Sequence, residues 1–364
     1  MFNGPGIILG RKGQGPLGVE WCDSDYWVID TAYTLIPLVS KINLRYAYFL
    51  IKFIGLNHLK DGTSNPTLSR DSFGAQALPI PPISTQRGIA GVLSALDDKM
   101  ELNRRMKETL EAMAQALFKS WFVDFDPVRA KAEGRDPDLS KPIADLFPAC
   151  LAGRELGAIA EGWEVGSVKS IAELVRAQVN PFDTPTRVFS HYSIPAFDNG
   201  QLAVSELGTA IKSMKFCVPT DAVLFSKLNP TIERVWLVDP QPSESAICST
   251  EFLVLRPKAP FGRCFLYCLL RSPNFREAVN SLVTGTSNSH QRARADGILD
   301  MLVVLPPAGL VGLFEDLASP ILDRMLANRR QSRTLAKMRD TLLPKLISGE
   351  LRVEGTGGFA HGET

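Results

Sequence analysis

The chain contains an internal duplication, and this constrains its fold more than any other feature of the sequence. Gly-Thr-Ser-Asn at residues 62–65 returns at residues 285–288, and a pair of prolines follows each copy. Beyond the prolines, LDDKMELNRR, which ends at Arg105, corresponds to ILDRMLANRR, which ends at Arg330, at an offset of 225 residues. An ordered series of matches in nearly one register predicts two structurally related halves.

The duplication extends upstream into segments that read as strands. GPGIILGRKG near the start corresponds to TDAVLFSKLNP, which ends at Pro230. DTAYTLIP around Tyr33 corresponds to STEFLVLRP around Phe252, and this alignment places Thr31 at the position of Thr250. The first half has no counterpart of residues 162–220, so we expect the first domain to be a fragment of the second.

Composition is that of an ordinary globular protein. The 364 residues are 45% hydrophobic and 22% charged, which allows two domains with their own cores. The formal net charge is only +1, so a nucleic-acid site has to be a local basic patch. The six cysteines form no C-x-x-C pair, and no apolar run is long enough to span a membrane. These features predict a cytoplasmic protein without a membrane segment.

Two long amphipathic helices are predicted, one in each half. The seam of the first comprises Ile89, Leu93, Leu96, Met100, Asn103, Lys107, Leu110, Ala114, Leu117 and Trp121. The same positions in the second half are Phe314, Ala318, Ile321, Met325, Asn328, Ser332, Leu335, Arg339, Leu342 and Leu346. We expect an antiparallel coiled coil in which Asn103 lies near Asn328 and fixes the register. The alternative is two separate helices, each packed on its own domain.

The predicted fold is α/β (α+β), with two mixed-sheet domains and the two long helices. Strands are expected in AVLFSKLNP, VWLVD and EFLVLRP, and one or two helices in GRCFLYCLLRSPNFREAV. The predicted segments are a partial first domain (1–84), a long central helix (85–127), a linker (128–161), a second domain (162–308), a long C-terminal helix (309–351) and a tail (352–364).

Polar loops at matching places in the two halves are the candidate binding sites. Lys and Arg neutralise phosphates, whereas amide, hydroxyl and guanidinium groups pair with base edges. The candidates are Arg11, Lys12, Asn65 and Arg70 in the first half and Ser226, Lys227, Asn229, His290, Gln291, Arg292 and Arg294 in the second. For any one of these residues, a solvated loop is the alternative interpretation.

Motifs for catalysis or cofactor binding do not emerge from the sequence. GRKGQG lacks the lysine and hydroxyl spacing of a phosphate loop, and no histidine has the spacing of a zinc ligand pair. Asp124 and Asp126 adjoin a proline, which is typical of a helix end. We therefore predict no catalytic residue, no metal and no cofactor.

The order and spacing of these segments resemble the specificity subunit of type I restriction–modification enzymes. The resemblance rests on GRKG, IDTAY, GTSNPTLS, LPIPPISTQRGIAGVLSALDDKMELNRRM and LFKSWFVDFDP in the first half. GWEVGSV, VLFSKLNP and LLPKLISGEL carry it in the second half. Together these words extend from about residue 4 to residue 352.

The resemblance implies two target-recognition domains that each read one half of a bipartite double-stranded DNA site. It also implies a coiled coil that sets the distance between the half-sites. The subunit would have no catalysis of its own and would dock methyltransferase subunits and, through them, restriction subunits. The incomplete first domain leaves recognition of its half-site open. The alternatives are a coiled-coil scaffold protein without DNA affinity, an inactive truncated remnant, and an enzyme.

Overall fold

The computed structural model describes residues 1–37, 41–241, 245–282 and 291–353. The chain divides into two compact units: unit 1 comprises residues 1–104 and 330–364, and unit 2 comprises residues 105–329. Among the described helices, none has the length and apolar character needed to cross a membrane. His290 and the second Gly-Thr-Ser-Asn segment lie outside the described residues.

The strands are numbered in chain order. They are β1 (Gly6–Gly10), β2 (Val19–Cys22), β3 (Ala32–Leu35), β4 (Lys60–Asp61), β5 (Thr67–Leu68), β6 (Leu151–Arg154), β7 (Gly157–Ala160), β8 (Glu164–Ser167), β9 (Ala172–Leu174), β10 (Gln178–Val179), β11 (Val188–Tyr192), β12 (Val204–Leu207), β13 (Lys215–Cys217), β14 (Val223–Ser226), β15 (Val235–Leu237), β16 (Ser245–Cys248), β17 (Phe252–Pro257) and β18 (Leu302–Leu305).

The helices are numbered in the same way. They are α1 (Leu44–Ile54), α2 (Arg70–Gly74), α3 (Ile83–Phe122), α4 (Asp126–Ala132), α5 (Lys141–Ala144), α6 (Val168–Ile171), α7 (Ile194–Asp198), α8 (Arg263–Arg271), α9 (Pro273–Ser281), α10 (Ala295–Leu299) and α11 (Ala308–Ser348).

Unit 1 is built around a three-stranded antiparallel sheet in the order β2-β1-β3. Helix α1 begins at Asn43, whose side chain accepts a hydrogen bond from the backbone N–H of Tyr46, and this cap satisfies a donor that the helix leaves unpaired. One face of α1 is apolar, and Phe49 and Leu50 are buried in a core with Ile7 of β1. The same core contains residues of α3 and α11.

Unit 2 contains two larger sheets. The first is antiparallel, in the order β15-β14-β17-β9, and its central strands are buried on both faces. The second has the order β10-β13-β16-β11-β12 and is mixed, because β11 and β16 run parallel while its other pairs are antiparallel. The prediction of one or two helices after Gly262 is confirmed as two, α8 and α9.

The duplication is confirmed by the registers of the sheets. In unit 1, Leu9 of β1 lies opposite Val19 on one side and Tyr33 on the other. In unit 2, Phe225 of β14 lies opposite Val235 and Leu253 at the corresponding positions. The order β2-β1-β3 is therefore repeated as β15-β14-β17.

The sequence alignment was wrong by one residue in the third strand. Ala32 lies opposite Gly10 in unit 1, and Phe252 lies opposite Ser226 in unit 2. The structural counterpart of Thr31 is therefore Glu251 and not Thr250. Side chains alternate between the faces of a strand, so a shift of one residue exchanges the buried and exposed sets.

Helices α3 and α11 pack against each other within each unit. In unit 1, Asp97 binds Arg339 at 3.0 Å. Asn103, further along α3, donates to Gln331, which comes earlier in α11, so the two segments run antiparallel as predicted. In unit 2, Phe314 contacts Phe118, with ring centroids 5.7 Å apart. None of the predicted seam residues is exposed, and half of them are buried.

The mid-seam asparagines are both buried. The amide nitrogen of Asn103 donates to Gln331 Oε1 at 2.9 Å and to Ser332 Oγ at 3.3 Å. Asn328 belongs to unit 2 and is 2% exposed, and its amide nitrogen has no hydrogen-bond partner among the described residues. The predicted proximity of Asn103 and Asn328 stays a prediction.

The chain between the first long helix and the second domain is folded. Helix α3 ends at Phe122, and Phe125 adopts a left-handed backbone (φ 57°) before α4 begins. In the segment 128–161, the apolar residues Val128, Phe147 and Ile159 join the core of unit 2. Helix α11 continues through Pro320.

We predict that replacing both Asn103 and Asn328 by Leu raises the free energy of unfolding by about 1 kcal/mol or more, because a buried polar group with unmet hydrogen bonds is costly. Thermal denaturation measures this change, with exposed Asn280→Leu in α9 as the matched control. Amide exchange along α3 should become faster in the variant, because a polar seam position restricts the register. A lower melting temperature for the double variant than for the control would contradict the prediction.

Candidate nucleic-acid interface

Two loops that are distant in the sequence meet in unit 2. Residues 227–229, which follow β14, form an antiparallel bridge with residues 291–293 through Leu228 and Arg292. The backbone N–H of Asn229 donates to the carbonyl of Gln291 at 2.8 Å. The N–H of Ala293 donates to the carbonyl of Lys227 at 3.1 Å. This loop pair therefore brings the predicted site residues of both segments together.

The same pairing occurs in unit 1. Residues 11–13, which follow β1, form an antiparallel bridge with residues 66–68 through Lys12 and Thr67. The N–H of Gly13 donates to the carbonyl of Pro66 at 3.2 Å, and the N–H of Leu68 donates to the carbonyl of Arg11 at 2.8 Å. Each of these contacts corresponds to one in unit 2, so both halves present a basic residue, Arg11 or Lys227, immediately after the strand.

A left-handed backbone turns the chain at matching positions of both loop pairs. Gly13 has φ 136° and Asn229 has φ 47°. Glycine and asparagine are the residues that tolerate positive φ best, since a β-carbon clashes with the following carbonyl there. The two loops thus share a positive φ at this position as well as a hydrogen-bond pattern.

The charges of the second loop pair are not equivalent. Arg292 forms a two-point ion pair with Glu251, through bonds of 2.7 Å and 3.2 Å. Arg294 is exposed and lies at the N-cap position of α10, and Lys227 is partly buried. Because a carboxylate already neutralises Arg292, Lys227 and Arg294 are the stronger candidates for phosphate contacts.

The basic residues of unit 1 surround Tyr33. The guanidinium groups of Arg11 and Arg70 lie 5.1 Å and 5.4 Å from the centre of its ring, within the range of cation–π attraction. These three residues line an open cleft of about 570 Å³. Lys12 lies 3.7 Å from the carboxylate of Asp30, which is largely exposed. Asn65 is exposed, and its backbone carbonyl accepts from the Thr67 hydroxyl.

Ser226 is a correction to the predicted set. It is 3% exposed, and its hydroxyl donates to the carbonyl of Leu228 at 3.1 Å. The same oxygen accepts from the N–H of Leu228 at 3.2 Å, so it shapes the loop from inside. A side chain this buried is not accessible to a nucleic acid, and we assign Ser226 a structural role.

Sequence reasoning missed Glu251 and Tyr33. Glu251 holds Arg292, and Tyr33 lies beside two guanidinium groups. The correct strand register would have shown that Thr31 and Glu251 occupy the same position, next to the loop pair. No local pattern marks Tyr33, because Arg11 and Arg70 reach it from distant parts of the sequence.

Comparison with known proteins finds similarity to specificity subunits of type I restriction enzymes. Residues 2–112 match the family described as the type I restriction modification DNA specificity domain. The chain is 25% identical over 402 residues to the type I restriction enzyme HindI specificity subunit of Haemophilus influenzae. This alignment covers 94% of this chain and 85% of that protein. It is 28% identical over 327 residues to the type I restriction enzyme MjaIX specificity subunit of Methanocaldococcus jannaschii. That alignment covers 85% of this chain and 69% of that protein.

A solved structure shares the fold. The S subunit of the type I restriction-modification system from M. genitalium is similar with a TM-score of 0.54 and 15% sequence identity. The similarity covers 95% of this chain and 83% of that chain.

We predict that Asn229→Val lowers the free energy of unfolding by about 1–2 kcal/mol, because a β-branched residue is strained at positive φ. Asn229→Gly should be nearly neutral, since glycine adopts this conformation freely. Urea denaturation measures both changes. Equal stability of the two variants would show that the left-handed turn does not constrain this loop.

Proposed function

We propose that the chain is a specificity subunit of the type I restriction–modification kind and that it directs methyltransferase and restriction subunits to a bipartite DNA target. In this proposal the chain itself binds double-stranded DNA in a sequence-specific way in the cytoplasm. The free cysteines among the described residues are in keeping with a reducing compartment.

The observation that carries the proposal is the repeated loop pair. Both units place a basic residue directly after the first strand of the repeat and hold it against a second polar loop with the same backbone hydrogen bonds. Two solvated loops would not need to share a basic residue and the same backbone hydrogen bonds. Two DNA-binding sites of common origin would retain both features. The match of residues 2–112 to a DNA specificity domain supports the same role for unit 1.

Some residues of the loop pairs would contribute to the affinity for DNA and others to the sequence specificity. Lys227 and Arg294 in unit 2, and Arg11, Lys12 and Arg70 in unit 1, supply positive charge for phosphates. Gln291 can form two hydrogen bonds with the N6 and N7 atoms of adenine. We propose Gln291 as a base contact and assign the basic residues to the DNA backbone.

Helices α3 and α11 are the proposed docking surface for the methyltransferase subunits. Their apolar seams are buried, while basic side chains such as Arg87, Lys119, Arg324 and Lys337 are exposed. The chain would contribute no catalytic group, and methylation and cleavage would belong to the partner subunits. Purified chain that methylates or cleaves DNA without partners would contradict this assignment.

We predict that Lys227→Ala together with Arg294→Ala weakens binding to all duplex DNA sequences. Each lost phosphate contact should reduce the slope of log affinity against log salt concentration by about 0.9, because fewer counterions are released. Fluorescence anisotropy of labelled duplexes at several salt concentrations measures the slope.

The matched control removes the ion pair as a whole. Glu251→Ala with Arg292→Ala leaves the net charge unchanged, so the salt slope should stay that of the wild type. A wild-type slope in the Lys227 and Arg294 double variant would refute their role as phosphate contacts. Absence of DNA binding by the wild-type complex would refute the proposed function itself.

We predict that Gln291→Ala lowers affinity for one preferred sequence by about 1–3 kcal/mol while sparing random DNA, since base contacts discriminate among sequences by this amount. Competition between the preferred duplex and a scrambled duplex measures the difference. An equal loss for both duplexes would assign Gln291 to the backbone instead of a base.

A further inference from the structure

Gln201 is the meeting point of both long helices with the globular part of unit 2. It lies in the loop after α7, and its side-chain oxygen accepts hydrogen bonds from two cations. Lys107 of α3 donates at 3.3 Å, and Arg329 of α11 donates at 2.8 Å. One neutral amide therefore joins three segments that are distant in the sequence.

The surrounding contacts reinforce this junction. Arg329 also donates to the carbonyl of Leu237 at the end of β15, at 3.3 Å. One turn after Lys107, Glu111 of α3 binds both Tyr267 and Arg271 of α8. Burial, followed by the charge of Arg329, lowers the pKa of Lys107, in keeping with two cations held close together.

The backbone holds Gln201 in an unusual conformation. Its φ is 59°, in the left-handed region that residues other than glycine rarely adopt. Its N–H donates to the carbonyls of Ala196 and Phe197, which fixes the residue at the end of α7. On the other side, Asp198 forms a two-point ion pair with Arg234, at 2.8 Å and 2.9 Å. A strained residue persists only where its surroundings hold it in place, so the position of the amide is well defined.

We propose that Gln201 is a positioning residue that fixes the DNA-reading part of unit 2 on the two helices, so that bound DNA is presented correctly to a methyltransferase docked on those helices. This inference rests on the proposed function. It assigns Gln201 no contact with DNA.

The physical reason lies in the like charges of Lys107 and Arg329. Hydrogen bonds to charged donors are stronger than neutral ones, so the amide oxygen stabilises both cations at once. Without it, two neighbouring cations would repel each other and lack their shared acceptor. A carboxylate at the same place would bind both cations, so glutamate should substitute for glutamine.

The test uses the chain co-expressed with its methyltransferase subunits. Gln201→Gly removes the amide while keeping the left-handed backbone without strain. Gln201→Glu keeps an acceptor for both cations, and Gln178→Ala removes an exposed glutamine of the same unit as a control. The measurements are Kd for the target duplex, kcat for methyl transfer to it, and the melting temperature of each complex.

We expect Gln201→Gly to lower kcat by about tenfold or more, because small misplacements of a reacting group are costly. Its Kd should stay within about threefold of the wild-type value, since the loops that contact DNA are intact. Gln201→Glu should restore most of kcat, and Gln178→Ala should not alter it.

Wild-type kcat in Gln201→Gly would overturn the inference, as would equal losses of kcat in the Gly and Glu variants. If Gln201→Gly fails to fold, amide exchange of residues 194–204 in the wild-type complex decides the matter, and exchange as fast as in an exposed loop would overturn it. A wild-type complex without DNA binding or methylation would instead contradict the proposed function.

Discussion

The structure depends on two long helices that can bury their apolar seams only by packing against each other and against the globular parts. Phe314 of α11 contacts Phe118 and Phe122 of α3 in unit 2, with ring centroids 5.7 Å and 5.4 Å apart. In unit 1, Leu93 of α3 and Leu346 of α11 share one core with strand β1. An isolated helix of this kind would leave an apolar stripe in water, at a cost of about 25 cal/mol for each Å² exposed. Each unit therefore includes a segment of both helices, and its loop pair is attached to a core that the helices complete.

The loop pairs of both units form the same backbone hydrogen bonds. After β1 and after β14 the chain leaves the sheet, and its N–H and carbonyl groups pair with residues 66–68, which include β5, in unit 1 and with residues 291–293 in unit 2. The side chains there are free to differ, since the pairing uses only the backbone. Unit 1 has Arg11 where unit 2 has Lys227, and Thr67 where unit 2 has Arg292. A scaffold that keeps its shape while its exposed side chains vary would suit the proposed role in reading a DNA sequence.

Much of this organisation could be predicted, because hydrophobic periodicity and the internal duplication can be read directly from the sequence. The helices and the strands of the repeat followed from matching positions in the two halves, whereas the pairing of residues 227–229 with residues 291–293 was not predicted. The other features depend on contacts between residues that are far apart in the sequence, and such contacts leave no periodic pattern. The ion pair of Arg292 with Glu251 needed the strand register, which the alignment missed by one residue. The burial of Ser226 follows from a tight local turn, and Gln201 receives its partners from two helices far away in the sequence. The segment 128–161 contains many charged residues and three prolines, typical of a linker, yet apolar side chains such as Val128, Phe147 and Ile159 join the core of unit 2.

The central claim is that this chain decides which DNA sequence its partners modify. Sequencing of modified bases in DNA from cells that express the methyltransferase subunits, with and without this chain, tests that claim most directly. The account predicts one modified motif that is present only with the chain. It also predicts that the motif changes when unit 2 is replaced by the corresponding region of a relative such as the HindI specificity subunit. The same motif in cells without the chain, or a motif unaffected by that exchange, would contradict the account.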